Sequence, residues 1–288
     1  MIPGAFAYHR PKSVPEAVAI LAEHGDDARP LAGGHSLIPV MKLRLAAPGH
    51  LVDLGGIADL RGIRADGGDI VLGAMTTQHD VIGSELLATK IPILKEAALL
   101  IADPQVRYVG TIGGNAANGD PGNDMPAVMK ALDARYELTG ANGTRQVAAR
   151  DFYEGVYTTA LQPGEVLTAV RIPVPAEGHG YAYEKLKRKV GDYATAAAAV
   201  VLTMSGGKVA TCAIGLTNVG DTALLAEEAA NILVGSTLDD DTVKRAVAAA
   251  EAITSPAADA HGPPAYRTKM AGVMLRRALA RAASKARG

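Results

Sequence analysis

Tryptophan is absent from this 288-residue chain, and nine tyrosines and two phenylalanines are its only aromatics. A flat ligand held by stacking would have to rely on few side chains, chiefly tyrosines. Cysteine occurs once, at Cys212, which excludes an internal disulfide and a cysteine-ligated cluster and fits a reducing compartment. Neither sign of charge dominates: the formal net charge is −1, which argues against whole-surface binding to nucleic acid. Long apolar runs are lacking too. The longest, Ala194 to Met204, carries Thr195 and Thr203 inside it and is too short to span a bilayer. The opening stretch MIPGAFAYHRPKS has no apolar region of the secretory type. The expectation is a soluble cytoplasmic protein without a membrane span, peripheral contact with the inner face of the cytoplasmic membrane being left open.

What is present is ample core material, 48% apolar residues against 20% charged, arranged in three stretches. The first opens with a helix after Ser13, which forms a capping box with Glu16, has Pro15 in its first turn and ends at Gly25. A short strand near Arg29–Ala32, a Gly33-Gly34 turn, a helix with Ser36 as its N-cap and the strand His50–Leu54 read as a small βαβ module. The second stretch holds a hairpin turning at Asp66-Gly67-Gly68, a helix over IPILKEAALLIA ended near Asp103-Pro104, a helix over NDMPAVMKAL, a hairpin with an Asn142-Gly143 turn, and a strand running into Pro173 and Pro175. The segment PVPAEGHG, Pro173 to Gly180, is the best boundary. Beyond it come three strand-like runs, with Gly206-Gly207 turning the last two, and helices at roughly 222–234, 239–253 and 265–284. The fold class is α+β: domain 1–177, of two α/β subdomains (about 1–54 and 55–177), then 178–288 with a three-stranded antiparallel sheet and helices.

Two segments stand out chemically. In Ala32-Gly33-Gly34-His35-Ser36 the glycines permit close approach of a ligand, and a strand-to-helix turn offers free N–H groups to an anion. A plain tight turn is the competing reading. The second segment, TIGGNAANGDPGNDMP (Thr111–Pro126), is longer than a connector needs and rich in Gly, Asn and Asp. It reads as a ligand loop or as an ordered surface loop held by Asx turns. Two such loops could grip one extended dinucleotide at two points. Neither standard nucleotide-binding glycine pattern is present, and no triad, zinc spacing or close carboxylate pair is convincing. In YEKLKRKVGDYAT, Lys185, Lys187 and Lys189 alternate along a strand, the last two reading as a solvated edge. Tyr193 is placed to lie over a ring system. Cys212 reads as core. The last helix, with seven basic and no acidic residues, reads as core packing with a solvated basic face.

Together AGGHSLIPVMKLRLAAPGHLVDL and TIGGNAANGDPGNDMPAVMKAL, with YHRPKS, GAMTTQ, YEKLKRK and YRTKMAGVMLRRAL, resemble the FAD-binding subunits of the xanthine oxidase family of molybdenum hydroxylases. Within that family the chain is most similar to the medium subunits of aerobic carbon monoxide dehydrogenases. The resemblance implies a vanillyl-alcohol-oxidase-like (PCMH-type) FAD-binding domain with a smaller C-terminal domain. It implies FAD held by Ala32, Gly33, Gly34, His35 and Ser36 and by Thr111, Ile112, Gly113, Gly114 and Asn115, chiefly through backbone groups at the pyrophosphate. By the same likeness Asn118 and Asp124 contact the flavin or its ribityl and phosphate chain. Leu167, Lys185 and Tyr193 lie near the isoalloxazine ring, where Lys185 would stabilise the reduced flavin. No residue of this chain would be catalytic in its own right or bind metal.

The implied role is electron relay in a multi-subunit oxidoreductase. A large subunit with a molybdenum cofactor would oxidise CO with water to CO2, a small iron–sulfur subunit would pass electrons to FAD, and a quinone would be the external acceptor. The assembly would be a dimer of heterotrimers. The bottom-up reading agrees that clusters must lie elsewhere, because the cysteines for them are missing here. Other readings are the FAD subunit of a related hydroxylase acting on an aldehyde or N-heterocycle, a non-catalytic scaffold subunit, and a stand-alone flavin oxidase.

Overall fold

The structure, a computed structural model, describes residues 2–287. The first stretch contains β1 (Ala7–His9), α1 (Val14–His24), β2 (Ala28–Leu31), α2 (Leu37–Lys42) and β3 (His50–Asp53). The strands form a sheet in the order β1-β3-β2, with both pairings parallel. This is the expected βαβ module plus a strand. Helix α1 starts where the Ser13 hydroxyl accepts the Glu16 N–H, and ends on Gly25 at φ 52°. The Glu16 carboxylate accepts from Lys12 N–H at 2.7 Å, so the reciprocal half of the expected box falls one residue early. Ala17, Val18 and Leu21 of α1 pack on Ala28 and Val52 of the sheet.

The second stretch is built around a five-stranded antiparallel sheet in the order β4-β5-β10-β6-β7. Its strands are β4 (Ile63–Asp66), β5 (Asp69–Gly73), β6 (Arg135–Gly140), β7 (Gly143–Ala148) and, arriving later, β10 (Val166–Pro173). Six helices leave from β5: α3 (Gln78–Gly83), α4 (Glu85–Lys90), α5 (Ile93–Leu100), α6 (Pro104–Val109), α7 (Ile112–Ala117) and α8 (Asp124–Ala131). The small elements α9 (Ala149–Phe152), β8 (Tyr153–Gly155) and β9 (Thr158–Thr159) precede β10.

Three expectations shift here. Asp103-Pro104 starts a helix, because the Asp103 carboxylate accepts Val106 N–H and proline suits a first turn. The β6–β7 hairpin pairs Gly140 with Gly143, so Ala141-Asn142 is the turn and Gly143, at φ 106°, follows it. The stretch Thr111–Asn118, expected to be a loop, is largely helical as α7, since the Thr111 hydroxyl caps it by accepting Gly114 N–H at 3.1 Å.

After a segment without helix or strand at 174–179 come β11 (Gly180–Leu186), β12 (Ala196–Ser205), β13 (Lys208–Thr217) and β14 (Leu224–Leu225). They form one antiparallel sheet in that order, four strands where three were expected. Helices α10 (Glu227–Leu233), α11 (Asp240–Ala252) and α12 (Pro264–Lys285) cover one face. Strand β12 is nearly all apolar because both its faces are buried. Ala197 and Ala199 join the main core with Tyr183, whereas Ala196, Ala198, Val200 and Leu202 face α10–α12.

The last helix departs from the solvated-face reading. Arg267 is 2% exposed and donates to the carbonyls of Thr195, Ala257 and Asn218. Arg281 and Lys285 both pair with Glu96 of α5. Cys212 is partly buried against the α10–α12 cluster, and burial pushes its thiol up to about 12, which disfavours the thiolate.

Candidate cofactor-binding site

The two glycine-rich segments, far apart in the chain, meet. A side chain on Gly33 would strike Val109 O at 2.2 Å and Gly110 Cα at 2.8 Å, immediately before Thr111. A side chain on Gly114 would reach Ala32 Cβ at 3.1 Å. Gly34, at φ +75°, turns the chain between β2 and α2 in a conformation that favours glycine. The Gly34 carbonyl accepts Ile38 N–H at 3.0 Å. Ala32, Gly33 and Gly34 are half-buried, while His35 and Ser36 are exposed. Ser36 occupies the N-cap position of α2 but makes no side-chain cap bond, contrary to expectation; its backbone is already helical, which turns the hydroxyl's usual reach away from the first turn.

The second segment is stitched to the exit of β5. Ile112 N–H donates to Thr76 O and Gly113 N–H to Ala74 O, both at 2.9 Å, and Gln78 N–H donates to Gly110 O at 2.8 Å. A Cβ on Gly113 would lie 2.5 Å from Ala74 Cβ. Ala74 N–H in turn donates to Thr168 O of β10 at 2.9 Å. Leu167, the neighbour of Thr168, is 4% exposed and sits at an irregularity in the β10–β6 pairing. Thr111, Ile112 and Gly113 are buried; Asn115 and Asn118 are half-buried.

A polar post stands behind this floor. Asn123 Nδ2 donates to Asn115 O at 2.9 Å. Next to it Asp124, 4% exposed, accepts from Lys185 Nζ at 2.7 Å and from Tyr183 OH at 2.5 Å. The Lys185 side chain is 1% exposed and also donates to Leu100 O at 3.3 Å. Tyr183 and Lys185 share a face of β11, two residues apart, so the strand delivers both groups to α8. Burial holds the Asp124 carboxyl above its ordinary value, and the Lys185 ammonium and Tyr183 hydroxyl work against that rise. Tyr183 is pushed up by burial and by the Asp124 charge. Lys187, just past the end of β11, also donates to Leu100 O at 3.3 Å, whereas Lys189 is exposed. Tyr193 is 47% exposed and lies against Gly122, where a Cβ would meet its ring at 2.8 Å.

Residue-by-residue reading missed Gln78. It is 2% exposed, and both side-chain amide atoms lack a protein partner; Asn115 Oδ1 is in the same state. The GAMTTQ stretch was the one trace of Gln78 in the sequence. Unpaired buried amides beside two glycine segments packed closely on their neighbours are what a polar cofactor would satisfy. The residues present therefore fit a dinucleotide held by backbone N–H groups. Fold and site together define the class of a two-part α+β nucleotide-binding protein.

Comparison with known proteins narrows that class. Residues 4–175 match the FAD binding domain in molybdopterin dehydrogenase, and residues 181–282 match the CO dehydrogenase flavoprotein C-terminal domain. The chain belongs to this family of FAD-binding subunits. It is 70% identical over 287 residues to the carbon monoxide dehydrogenase medium chain of Afipia carboxidovorans, covering 100% of both chains. Its identity to the medium chain of Hydrogenophaga pseudoflava is 52%, covering 97% of each. Caffeine dehydrogenase subunit beta from a Pseudomonas species is 35% identical, with 99% and 97% covered. Among solved structures, a cyanide-inactivated Cu,Mo-CO dehydrogenase superposes with TM-score 0.99, 70% identity and coverage of 99% of this chain and 100% of the other. Quinoline 2-oxidoreductase from Pseudomonas putida 86 gives TM-score 0.93 at 36% identity, with 99% of each chain covered.

Proposed function

We propose that this chain is the FAD-carrying electron-transfer subunit of an aerobic carbon monoxide dehydrogenase. The observation that carries the reading is the meeting of the Gly33-Gly34 and Gly113-Gly114 backbones at one cradle, together with 70% identity over the full chain to a carbon monoxide dehydrogenase medium chain. Bound FAD supplies the exchange between electron carriers that the amino acids lack.

The chain's own residues bind and orient. Ala32 to Ser36 offer N–H groups to the pyrophosphate and Thr111 to Asn115 bound it from the other side, the N–H groups of Ile112 to Asn115 being donated to Thr76 O, Ala74 O and Thr111, while Asn118 and Asp124 serve the ribityl and phosphate chain. Leu167, Lys185 and Tyr193 bound the ring region, Lys185 acting through the charge it shares with Asp124. His35 positions and does not catalyse. The FAD-binding part ends near residue 177 and the C-terminal part runs from 178. A large molybdenum-cofactor subunit converts CO and water to CO2, two protons and two electrons. A small iron–sulfur subunit passes the electrons here, and a quinone accepts them. The assembly is a dimer of heterotrimers in the cytoplasm, in contact with the inner face of the membrane. Among the described residues no helix is long and apolar enough to cross a membrane.

The test is the assembled complex. Flavin absorption that appears with this subunit and bleaches on addition of CO, with turnover to a quinone analogue, supports the reading. A colourless complex overturns the cofactor assignment. A coloured complex that oxidises an aldehyde or N-heterocycle but not CO overturns the substrate alone.

A further inference from the structure

Three histidines from three elements converge at the open end of the β1-β3-β2 sheet. His9 closes β1, His24 closes α1 and His50 opens β3. Folding brings them together for simple reasons. His9 is the register partner of Val52, two residues past His50, so His9 and His50 share the sheet face that α1 covers. His24 follows Leu21 by one helical turn, and Leu21 belongs to the core under that face. His9 Nε2 lies 2.9 Å from His50 Nδ1, and the His24 and His50 rings stack at 3.6 Å between centroids. One nitrogen from each ring falls within 4.8 Å of the other two, and all three residues are half-buried. Behind them Asp27 places Oδ2 4.0 Å from His50 Nε2 and accepts Gly49 N–H on Oδ1 at 2.8 Å.

We propose that His9, His24 and His50 form a binding site for a divalent late transition-metal ion of the zinc type. Three neutral imidazoles suit zinc, which keeps a fourth place for water. Zinc bonds of 2.0–2.1 Å in tetrahedral array set ligand nitrogens about 3.3 Å apart. His9 and His50 therefore separate slightly from 2.9 Å, and His24 tilts off the His50 ring to aim a nitrogen at the same point. Closing the 4.0 Å gap to Asp27 Oδ2 on metal binding lets His50 Nε2–H donate to the carboxylate and leaves Nδ1 free to ligate. The ion fastens β1 and the end of α1 to β3, the sheet that leads into the Gly33-Gly34 turn. The site shares no residue with the two glycine segments.

The experiment is zinc titration of the chelator-treated full chain by calorimetry, with cobalt(II) as a visible-absorption probe. The expected result is one saturable zinc per chain, a tetrahedral cobalt spectrum and a zinc-dependent rise in the unfolding temperature. His24→Gln and His50→Gln should each weaken zinc binding by at least about a hundredfold and Asp27→Asn by about tenfold, while His79→Ala leaves it unchanged. Lack of 1:1 uptake, an octahedral cobalt spectrum, or full affinity in His24→Gln or His50→Gln overturns the proposal. The cobalt measurement needs no variant, so a variant that fails to fold does not block the test.

Discussion

The two glycine segments proposed to hold one cofactor are themselves held in opposite ways. Thr111–Asn115 is capped by its own threonine, tied by two backbone bonds to Ala74 and Thr76 just past β5, and backed by the Asn123 side chain. Ala32–Ser36 has a half-buried glycine turn, an exposed serine without a partner and one short helix behind it. The first is a fixed floor and the second an adjustable rim. In the proposed cofactor site one side is held by buried hydrogen bonds and the other has fewer such ties.

Substitutions that attack the floor should therefore cost the fold, and those on the rim should cost the cofactor. Gly113→Val should be the most severe. Its Cβ would start 2.5 Å from Ala74 Cβ and 2.8 Å from Ala74 O, an overpacking of about 3 kcal/mol or more. Differential scanning calorimetry should show the main transition lowered by roughly 6–10 °C, with flavin lost.

Lys185→Met should come next, at about 3–5 kcal/mol, because it strands a buried carboxylate. A pH signature goes with it. Buried Asp124 already sits above its ordinary 3.8, so the folded chain holds a proton that the unfolded chain releases. That contribution is complete below 3.8 and is lost as pH rises through the folded value. Removing the ammonium raises Asp124 further, so denaturant stability should fall more steeply with pH in the variant than in the wild type, starting just above pH 3.8. Parallel pH profiles would show that Lys185 does not govern Asp124.

Gly33→Val should break the rim. Its Cβ would overlap Val109 O, pushing the two segments apart, so flavin retention after gel filtration should drop at least about tenfold. The helical and sheet signals of residues 180–285 should persist in circular dichroism. Unchanged retention would place the grip elsewhere.

The mildest pair sharpens the contrast. Thr111→Ala removes a cap that is made and should cost about 1 kcal/mol in chemical denaturation. Ser36→Ala removes a cap that is not made and should cost under about 0.5 kcal/mol, appearing instead as weaker flavin binding. Equal stability losses at the two positions would erase the distinction between floor and rim.

Much of this was legible in the chain. Helix α1 announced itself through Ser13, Pro15 and Gly25, and the β4–β5 hairpin through Gly67-Gly68, because caps and turns are local signals. The motif pair Ala32–Ser36 and Thr111–Asn115 pointed to the family, and the family match agrees. Less legible were α7, whose glycines read as loop until Ala74 packed against them, and Ser36, whose capping role depended on its backbone angle. The basic last helix looked solvated because the acid that pairs Arg281 and Lys285, Glu96, lies in a distant helix.

The sequence by itself determined the periodicities, the caps, the lack of cluster-forming cysteines and the identity of the glycine motifs, since each depends on residue type and near neighbours. Only the tertiary structure decided that Gly33 faces Gly110, that Lys185 spends its charge on Asp124, and that His9, His24 and His50 share one corner. Those facts depend on contacts across dozens of residues, where backbone approach and burial set the chemistry and local pattern carries no record of them.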